Sequence, residues 1–203
     1  MATDPNHEAF LARAKQLSDA IKENIQADSF FTVISHHDAD GLSSAGIIGS
    51  ALARAKTGFK IRIVEELTES VMDEISKPEP EVAIFTDIGS GYFDLLSSHL
   101  NAKSALVLDH HPPNAPVPKN LTQLNPHEFG IDGARLVSAA GVCYFVAREL
   151  SEQNKDLSAL AIVGALGDMQ DKNEKRGLIG LNELIVQDGI EFGNVKVDSD
   201  LVL

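Results

Sequence analysis

The sequence predicts an α/β fold, a doubly wound and mainly parallel sheet with helices on both faces. Short apolar runs rich in β-branched residues alternate along the chain with segments of helical periodicity. The runs are continuously apolar, which is typical of strands that are covered on both faces. Aspartates and histidines follow several of these runs directly, at the sheet edge where α/β folds bind ligands. These observations favour βαβ units arranged around a functional site.

The first 28 residues are predicted to form a helix that packs on the domain. They are charged and amphipathic, and they lack the basic start and apolar centre of a signal peptide. The first apolar run, FFTVIS at 30–35, follows this helix. A second helix at about 42–56 then leads to the run FKIRIV at 59–64, which completes a first βαβ unit.

The middle of the chain repeats this alternation. A short helix near 69–76 precedes the run VAIFTD at 82–87, and a helix around 92–100 precedes SALVLD at 104–109. The segment PPNAPVPKN at 112–120 is predicted to be a loop, because proline can continue neither a helix nor a central strand.

The last part of the chain is predicted to begin with helices and then to lead elsewhere. Residues 137–153 and 157–168 have helical patterns, and the second helix is nearly all apolar, so we expect it to be buried. We expect the main domain to span 29–190. Residues 191–203 are expected to be a linker or a strand that leads to a second domain outside this chain.

The composition limits the cellular compartment of the protein and excludes sites that are built from several cysteines. The 203 residues are 43% hydrophobic, which is enough for an ordinary globular core. The single cysteine, Cys143, excludes an internal disulfide framework and a cysteine zinc cage, and we expect it to be a buried core residue. Because no apolar run approaches the roughly 20 residues that cross a bilayer, we expect a cytoplasmic protein without membrane contact.

Net charge limits the partners. The formal net charge of −13 argues against a broad basic surface for nucleic-acid phosphates. Any polyanionic substrate therefore needs a local cationic site, which a bound divalent ion can supply.

Carboxylates and imidazoles are concentrated at the ends of the apolar segments. They are His36, Asp38 and Asp40 after the first run, Asp87 after the third, Asp109, His110 and His111 after the fourth, and Asp168 after the apolar helix. Taken singly, an aspartate after a strand often caps a helix, and a lone histidine is usually an ordinary polar residue. Taken together, they would bring like charges to one edge, and divalent cations would remove that conflict. Mixed oxygen and nitrogen ligands favour Mn²⁺, with Mg²⁺ or Co²⁺ as alternatives.

An ordered set of motifs covers about residues 30–175. They are HHDADGLSSA at 36–45, TDIGSG at 86–91, LDHHPP at 108–113, LNPHEFG at 124–130, SAAGVCYF at 138–145 and GALGDMQD at 164–171. The set resembles the motifs of the DHH phosphoesterases, and within that family the RecJ-like branch of archaeal-type single-strand exonucleases. This resemblance implies the phosphoesterase fold of that family and two bound metal ions.

The resemblance also implies a role for each motif residue. The ligands of one metal ion would be His36, Asp38 and Asp87, and those of the other would be Asp40, Asp87, His110 and Asp168. Asp87 would bridge the two ions. The catalytic residues would be Asp87, Asp109 and His111. His111 would face the scissile phosphate, and Asp109 would orient the neighbouring histidines. His37 is interpreted as an ordinary polar residue and Asn125 as a turn residue, while Asp171 is either a supporting carboxylate or a solvent-facing one.

The resemblance implies a divalent-metal-dependent phosphoesterase that hydrolyses phosphodiester bonds of single-stranded DNA or RNA. The isolated chain is expected to bind such strands weakly, because it is acidic and has no tryptophan and two tyrosines. Replication or repair proteins are the expected protein partners. Two alternatives stay open: a relative that hydrolyses pyrophosphate, short oligonucleotides or cyclic dinucleotides, and a non-catalytic replication scaffold.

Overall fold

The computed structural model describes residues 4–77, 79–100, 102, 104–174 and 177–197. Over these residues the chain forms a five-stranded sheet in the order β2-β1-β3-β4-β5, in which each pair of neighbours is parallel. The strands are β1 Phe31–His36, β2 Phe59–Val64, β3 Val82–Thr86, β4 Ser104–Leu108 and β5 Thr122–Leu124. The predicted α/β fold with a parallel sheet is confirmed.

The described α-helices cover both faces of this sheet. They are α1 Pro5–Gln26, α2 Ala39–Arg54, α3 Glu69–Ile75, α4 Phe93–His99, α5 Ala139–Leu150, α6 Ser158–Gly167 and α7 Leu181–Phe192. Successive strand residues point to opposite cores. Val33 and Ile84 belong to the core under α1, α2, α5, α6 and α7, whereas Ile34 and Phe85 belong to the core under α3 and α4. The sheet is therefore doubly wound, as the continuous apolar runs predict. The prediction that each run is covered on both faces is wrong for β2, because this strand lies at the edge of the sheet and its residues 60–63 are exposed.

The four strands predicted at 30–35, 59–64, 82–87 and 104–109 are confirmed to within one residue at each end. Strand β5 and helix α7 were not predicted. Strand β5 has only three residues after the proline-rich loop, which is too short for a recognisable pattern. Helix α7 extends to Phe192, so the segment 191–203 begins inside a helix, and its last six residues lie outside the described residues.

The prediction that the apolar helix α6 is buried is wrong for one of its faces. Val163 is 52% exposed and Leu166 is 47% exposed, although Ala161 and Ala165 on the same helix are buried. Helices α2, α5 and α7 contact α6, but they leave Val163 and Leu166 largely exposed. Cys143 is fully buried, as expected. Among the described helices, none is long and apolar enough to span a membrane.

A tight turn joins β1 to α2. The Asp38 carboxylate accepts a hydrogen bond from the Gly41 backbone N–H at 2.9 Å and so caps the first turn of α2. A Cβ atom at position 41 would lie 2.3 Å from the His36 carbonyl oxygen, so only glycine allows the backbone to approach this closely. The turn holds His36, Asp38 and Asp40 together at the carboxyl edge of the sheet.

Helices α2, α5 and α6 meet around the Asp40 carboxylate. This group is fully buried and accepts hydrogen bonds from the backbone N–H groups of Ala139 at 2.7 Å and Ala140 at 2.9 Å. Both donors lie in the first turn of α5, where free N–H groups and the helix dipole favour an anion. Gly164 of α6 lies against the same carboxylate, because a Cβ atom there would be 2.3 Å from Asp40 Oδ1.

We expect Gly164→Ala to lower the free energy of unfolding of the metal-free protein by about 1–3 kcal/mol, the usual cost of overpacking. The added methyl group would meet Asp40 Oδ1 at 2.3 Å and Ala140 Cβ at 2.5 Å. Urea unfolding of the purified variant measures this change. Gly46→Ala is the matched control, because Gly46 also lies within a helix but its Cβ would meet only Leu160, at 3.6 Å. This control is expected to raise stability by about 0.5–1 kcal/mol. Equal stability of the two variants would contradict the close packing of α6 on Asp40.

Candidate metal centre

Asp87 lies directly after β3 in an unusual backbone conformation. Its φ angle is 57°, in the left-handed region that non-glycine residues seldom adopt. The side chain is buried, and neither carboxylate oxygen has a hydrogen-bond partner among the described residues. Burial is the main cause that raises the pKa of this carboxyl to about 8. A strained backbone and an unsatisfied buried carboxylate are typical of a functional site.

The first group of potential ligands is formed by His36, Asp38 and Asp87. His36 Nδ1 lies 2.9 Å from Asp38 Oδ2 and 3.6 Å from Asp87 Oδ2. One ligand atom from each residue lies within 4.8 Å of the others, which is close enough for a shared metal ion. The turn from β1 into α2 and the end of β3 bring these side chains together.

The second group is formed by Asp40, His110 and Asp168. His110 Nε2 lies 3.2 Å from Asp168 Oδ2 and 3.8 Å from Asp40 Oδ2, and it is also 3.5 Å from Asp87 Oδ1. The ligand atoms of these three residues lie within 4.8 Å of one another. His110 Nε2 is buried and has no hydrogen-bond partner among the described residues. The nitrogen therefore faces three carboxylates and can bind a cation once it has lost its proton.

A third group, formed by Asp87, His110 and His111, connects the other two. Asp87 is common to the first and third groups, and His110 is common to the second and third. The donors are carboxylate oxygens and imidazole nitrogens, with buried Asp87 and His110 atoms left unpaired by the protein. This donor set fits divalent cations of the Mn²⁺ type.

The groups of this centre have raised pKa values in the metal-free protein. Burial opposes a charged imidazole at His110, but the neighbouring Asp87 and Asp40 outweigh it and raise the pKa of His110 to about 10. Burial also raises the pKa of Asp40 to about 6. A cation that binds here must therefore displace protons at neutral pH.

A backbone carbonyl fixes the orientation of the His110 ring. His110 Nδ1 lies 2.8 Å from the Gly133 carbonyl oxygen, and the buried Gln170 side chain donates to the same oxygen at 3.0 Å. Asn182 of α7 in turn donates to Gln170 Oε1 at 2.6 Å. A proton held on Nδ1 leaves Nε2 as the ligand atom, the arrangement that is usual for metal-bound histidine. Sequence reasoning missed the roles of Gln170 and Gly133. Gln170 lies two residues after Asp168 in the last motif, which could have pointed to it, whereas no motif residue is next to Gly133.

Asp109 supports the two histidines that follow it. Its carboxylate accepts hydrogen bonds from the backbone N–H groups of Ser90 at 2.9 Å and His110 at 2.8 Å, and it lies 2.9 Å from His111 Nδ1. Burial would raise its pKa, but the hydrogen bond with His111 and the two imidazoles lower it to about 2. Asp109 is therefore anionic and oriented toward its neighbours rather than toward a metal site.

Asn125 does more than start a turn. Its side-chain amide donates to the His111 carbonyl at 2.8 Å and to Ser90 Oγ at 3.0 Å, while its side-chain oxygen accepts from the His127 N–H at 3.0 Å. The residue therefore caps the 3-10 turn Pro126–Phe129, as the turn interpretation implies. It also ties the segment after β5 to His111, which the sequence did not reveal.

Two further polar residues stay outside the three groups. His37 is exposed, and its ring stacks edge-on against His36 with the ring centroids 4.6 Å apart. Asp171 is partly exposed and belongs to none of the groups, which are drawn from the described residues. Asp171 is therefore a nearby carboxylate that lies outside the candidate metal centre.

Comparison with known proteins identifies the family of this chain. Residues 31–167 match the family model described as DHH family, N-terminal domain. An uncharacterized protein of Methanocaldococcus jannaschii is 43% identical over 200 residues, which cover 95% of this chain and 44% of that protein. The chain therefore spans less than half the length of this curated relative.

Solved structures share the fold at lower identity. RecJ from Thermus thermophilus, crystallised in complex with Mn²⁺, has a TM-score of 0.70 and 22% identity, covering 88% of this chain and 26% of RecJ. CDC45 from Entamoeba histolytica has a TM-score of 0.67 and 14% identity, covering 95% of this chain and 40% of CDC45. The family model, which matches more than half of the chain, shows that the chain belongs to the DHH family and contains its N-terminal domain.

Proposed function

We propose that this chain is the catalytic domain of a divalent-metal-dependent phosphoesterase that hydrolyses phosphodiester bonds of single-stranded nucleic acid. The observation that carries the proposal is the convergence of three potential metal-binding groups on Asp87 and His110, with their buried ligand atoms unpaired by the protein. The family membership of the chain supports the same reaction class, and the Mn²⁺ in a RecJ crystal supports the choice of metal.

The proposed ligand sets follow the groups in the structure. His36, Asp38 and Asp87 would hold one ion, and the other would be held by Asp40, Asp87, His110 and Asp168. Two adjacent divalent ions supply the positive charge that lowers the pKa of water and offsets charge on the phosphoryl oxygens. Asp40 keeps its place through the N–H groups of α5, and His110 keeps its place through the Gly133 carbonyl.

His111 is proposed to act on the substrate. Its side chain is 54% exposed, in contrast to the buried His110. The hydrogen bond between Nδ1 and the anionic Asp109 leaves Nε2 directed away from that carboxylate. A protonated His111 can donate a hydrogen bond to a phosphoryl oxygen or a proton to the leaving oxygen. The neighbouring Asp109 raises the pKa of His111 and so favours this protonated form.

Two alternatives have specific support. The net charge of −13 favours a small substrate, such as pyrophosphate or a cyclic dinucleotide, over a long polyanion. The likeness to CDC45 favours a role in a replication assembly. A scaffold does not require buried carboxylates whose oxygens are left unpaired, so the candidate metal centre favours catalysis.

We expect Mn²⁺-dependent cleavage of an end-labelled single strand, and loss of both cleavage and Mn²⁺ binding in Asp87→Asn. Asparagine tolerates the left-handed backbone at this position and removes a crowded buried charge, so the metal-free variant should be at least as stable as the original. Gel assays and calorimetric titration with Mn²⁺ measure the two effects. Asp171→Asn, which changes a carboxylate outside the three groups, is the control and should keep both.

Two results would overturn this assignment. Cleavage that persists without a divalent ion would show that the reaction does not depend on a metal ion. Hydrolysis of pyrophosphate or a cyclic dinucleotide, with single strands untouched, would move the chain to the small-substrate alternative.

We expect His111→Ala to lower the turnover number by roughly 10²- to 10⁴-fold while Mn²⁺ affinity is retained, the usual effect of losing a positioned acid or base. Single-turnover kinetics at saturating Mn²⁺ give the first quantity, and calorimetric titration gives the second. His37→Ala removes an exposed imidazole outside the groups and should change neither. If His111→Ala loses Mn²⁺ instead, His111 is a ligand, as the third group allows.

We expect Mn²⁺ binding at pH 7 to release protons and its apparent affinity to rise from about pH 6 through pH 8 and beyond. The pKa values of the ligands Asp40, Asp87 and His110 are raised to about 6, 8 and 10, so fewer protons remain to be displaced as the pH rises. Calorimetric titration in buffers with different ionisation enthalpies counts the released protons. An affinity that stays constant from pH 6 to pH 8 would contradict the proposed ligands.

A further inference from the structure

A cleft of about 270 Å³ opens at the carboxyl edge of the sheet beside Asp87. Its lining includes Asp87 and His111 from the candidate metal centre. It also includes Glu65, Ile88 and Tyr92, which belong to none of the three groups. The strand order β2-β1-β3 reverses direction at this point, and α/β sheets of this topology bind their ligands at the reversal.

The part of the cleft that is lined by Glu65, Ile88 and Tyr92 offers no group that would bind a second phosphate. The nitrogen groups of the lining are the imidazoles of His36 and His111, which belong to the candidate metal centre, and none of the described residues that line the cleft is lysine or arginine. Away from these imidazoles and the proposed metal ions, the Glu65 carboxylate repels a phosphate, so an uncharged part of a substrate fits this end of the cleft better.

The remaining groups of the cleft suit a flat ligand with N–H donors. The half-buried Tyr92 ring and the buried Ile88 side chain supply apolar surface, and a Cβ atom at Gly91 would meet nothing within 4 Å. Glu65 is exposed and forms no ion pair with another described residue. An aromatic ring stacks on any nucleobase, and a carboxylate accepts hydrogen bonds from an exocyclic amino group such as N4 of cytosine.

We propose that this cleft is a nucleoside subsite in which Tyr92 stacks on the base and Glu65 accepts hydrogen bonds from its amino group. The proposal rests on the proposed function, because metal ions at the adjacent centre would anchor the phosphate of the same nucleotide. The volume of about 270 Å³ lies just below the roughly 300–1,000 Å³ of pockets that bury a drug-sized ligand, which suits a single base better than a longer stretch of strand. Glu65 then selects bases with an amino group over uracil and thymine.

The test is calorimetric titration of the full chain in Mn²⁺ with three probes: inorganic phosphate, cytidine 5′-monophosphate and uridine 5′-monophosphate. Base stacking should make both nucleotides bind about 5- to 150-fold more tightly than inorganic phosphate. The cytidine nucleotide should bind at least fivefold more tightly than the uridine nucleotide, because uracil presents an acceptor where cytosine presents an amino donor.

Variants at the two residues separate their roles. Glu65→Gln should abolish the preference for the cytidine nucleotide, because an amide both donates and accepts hydrogen bonds. Glu66→Gln makes the same change at the next exposed position, which does not line the cleft, and should leave the preference intact. Tyr92→Leu should weaken the binding of both nucleotides and leave the binding of inorganic phosphate unchanged. Tyr92→Phe keeps the aromatic ring and should bind both nucleotides as tightly as the original protein.

The outcomes distinguish this proposal from the proposed function. If inorganic phosphate binds in the presence of Mn²⁺ but neither nucleotide binds more tightly, the subsite is refuted and the metal centre stands. If Mn²⁺ itself does not bind, the proposed function fails first. A preference for the cytidine nucleotide that survives Glu65→Gln would refute the role of Glu65, whatever the fold of the Tyr92 variants.

Discussion

The structure depends on buried carboxylates that converge on one imidazole. Asp40, Asp87 and Asp168 each place an oxygen within 3.8 Å of His110 Nε2, and Asp40 and Asp87 are almost fully buried. Charges held this close in a poorly solvated site destabilise the metal-free fold unless protons or cations offset them. The centre is therefore suited to exchange protons for metal ions, and the surrounding fold holds the carboxylates in place.

The fold offsets this cost with backbone dipoles. The first turn of α5 donates two N–H groups to Asp40, and the N–H groups of Ser90 and His110 donate to Asp109. Asp87, by contrast, receives no hydrogen bond from the described residues and keeps a left-handed backbone. The protein stabilises the supporting carboxylates and leaves the central one for a ligand.

Segments that are far apart in sequence determine the different environments of His110 and His111. The Gly133 carbonyl, itself held by Gln170, directs His110 Nε2 into the centre. Asp109 and Asn125 hold His111 at the surface. Two adjacent imidazoles thus acquire different environments, one buried among carboxylates and the other open to the cleft. The buried His110 is therefore suited to bind a metal ion, and the exposed His111 is suited to act on the substrate.

The sequence by itself determined four of the five described strands, most of the helices, and the aspartates and histidines at the carboxyl edge of the sheet. Continuous apolar runs define buried strands, and residues that follow parallel strands must meet at one edge. Only the tertiary structure revealed Gln170, Gly133 and Gly164, because their roles depend on close contacts between α6, α7 and distant loops. It also exposed one face of α6, since apolar composition shows that a helix can be buried but not which neighbours cover it. The cleft beside Tyr92 likewise arises from the strand order, which periodicity along the chain does not specify.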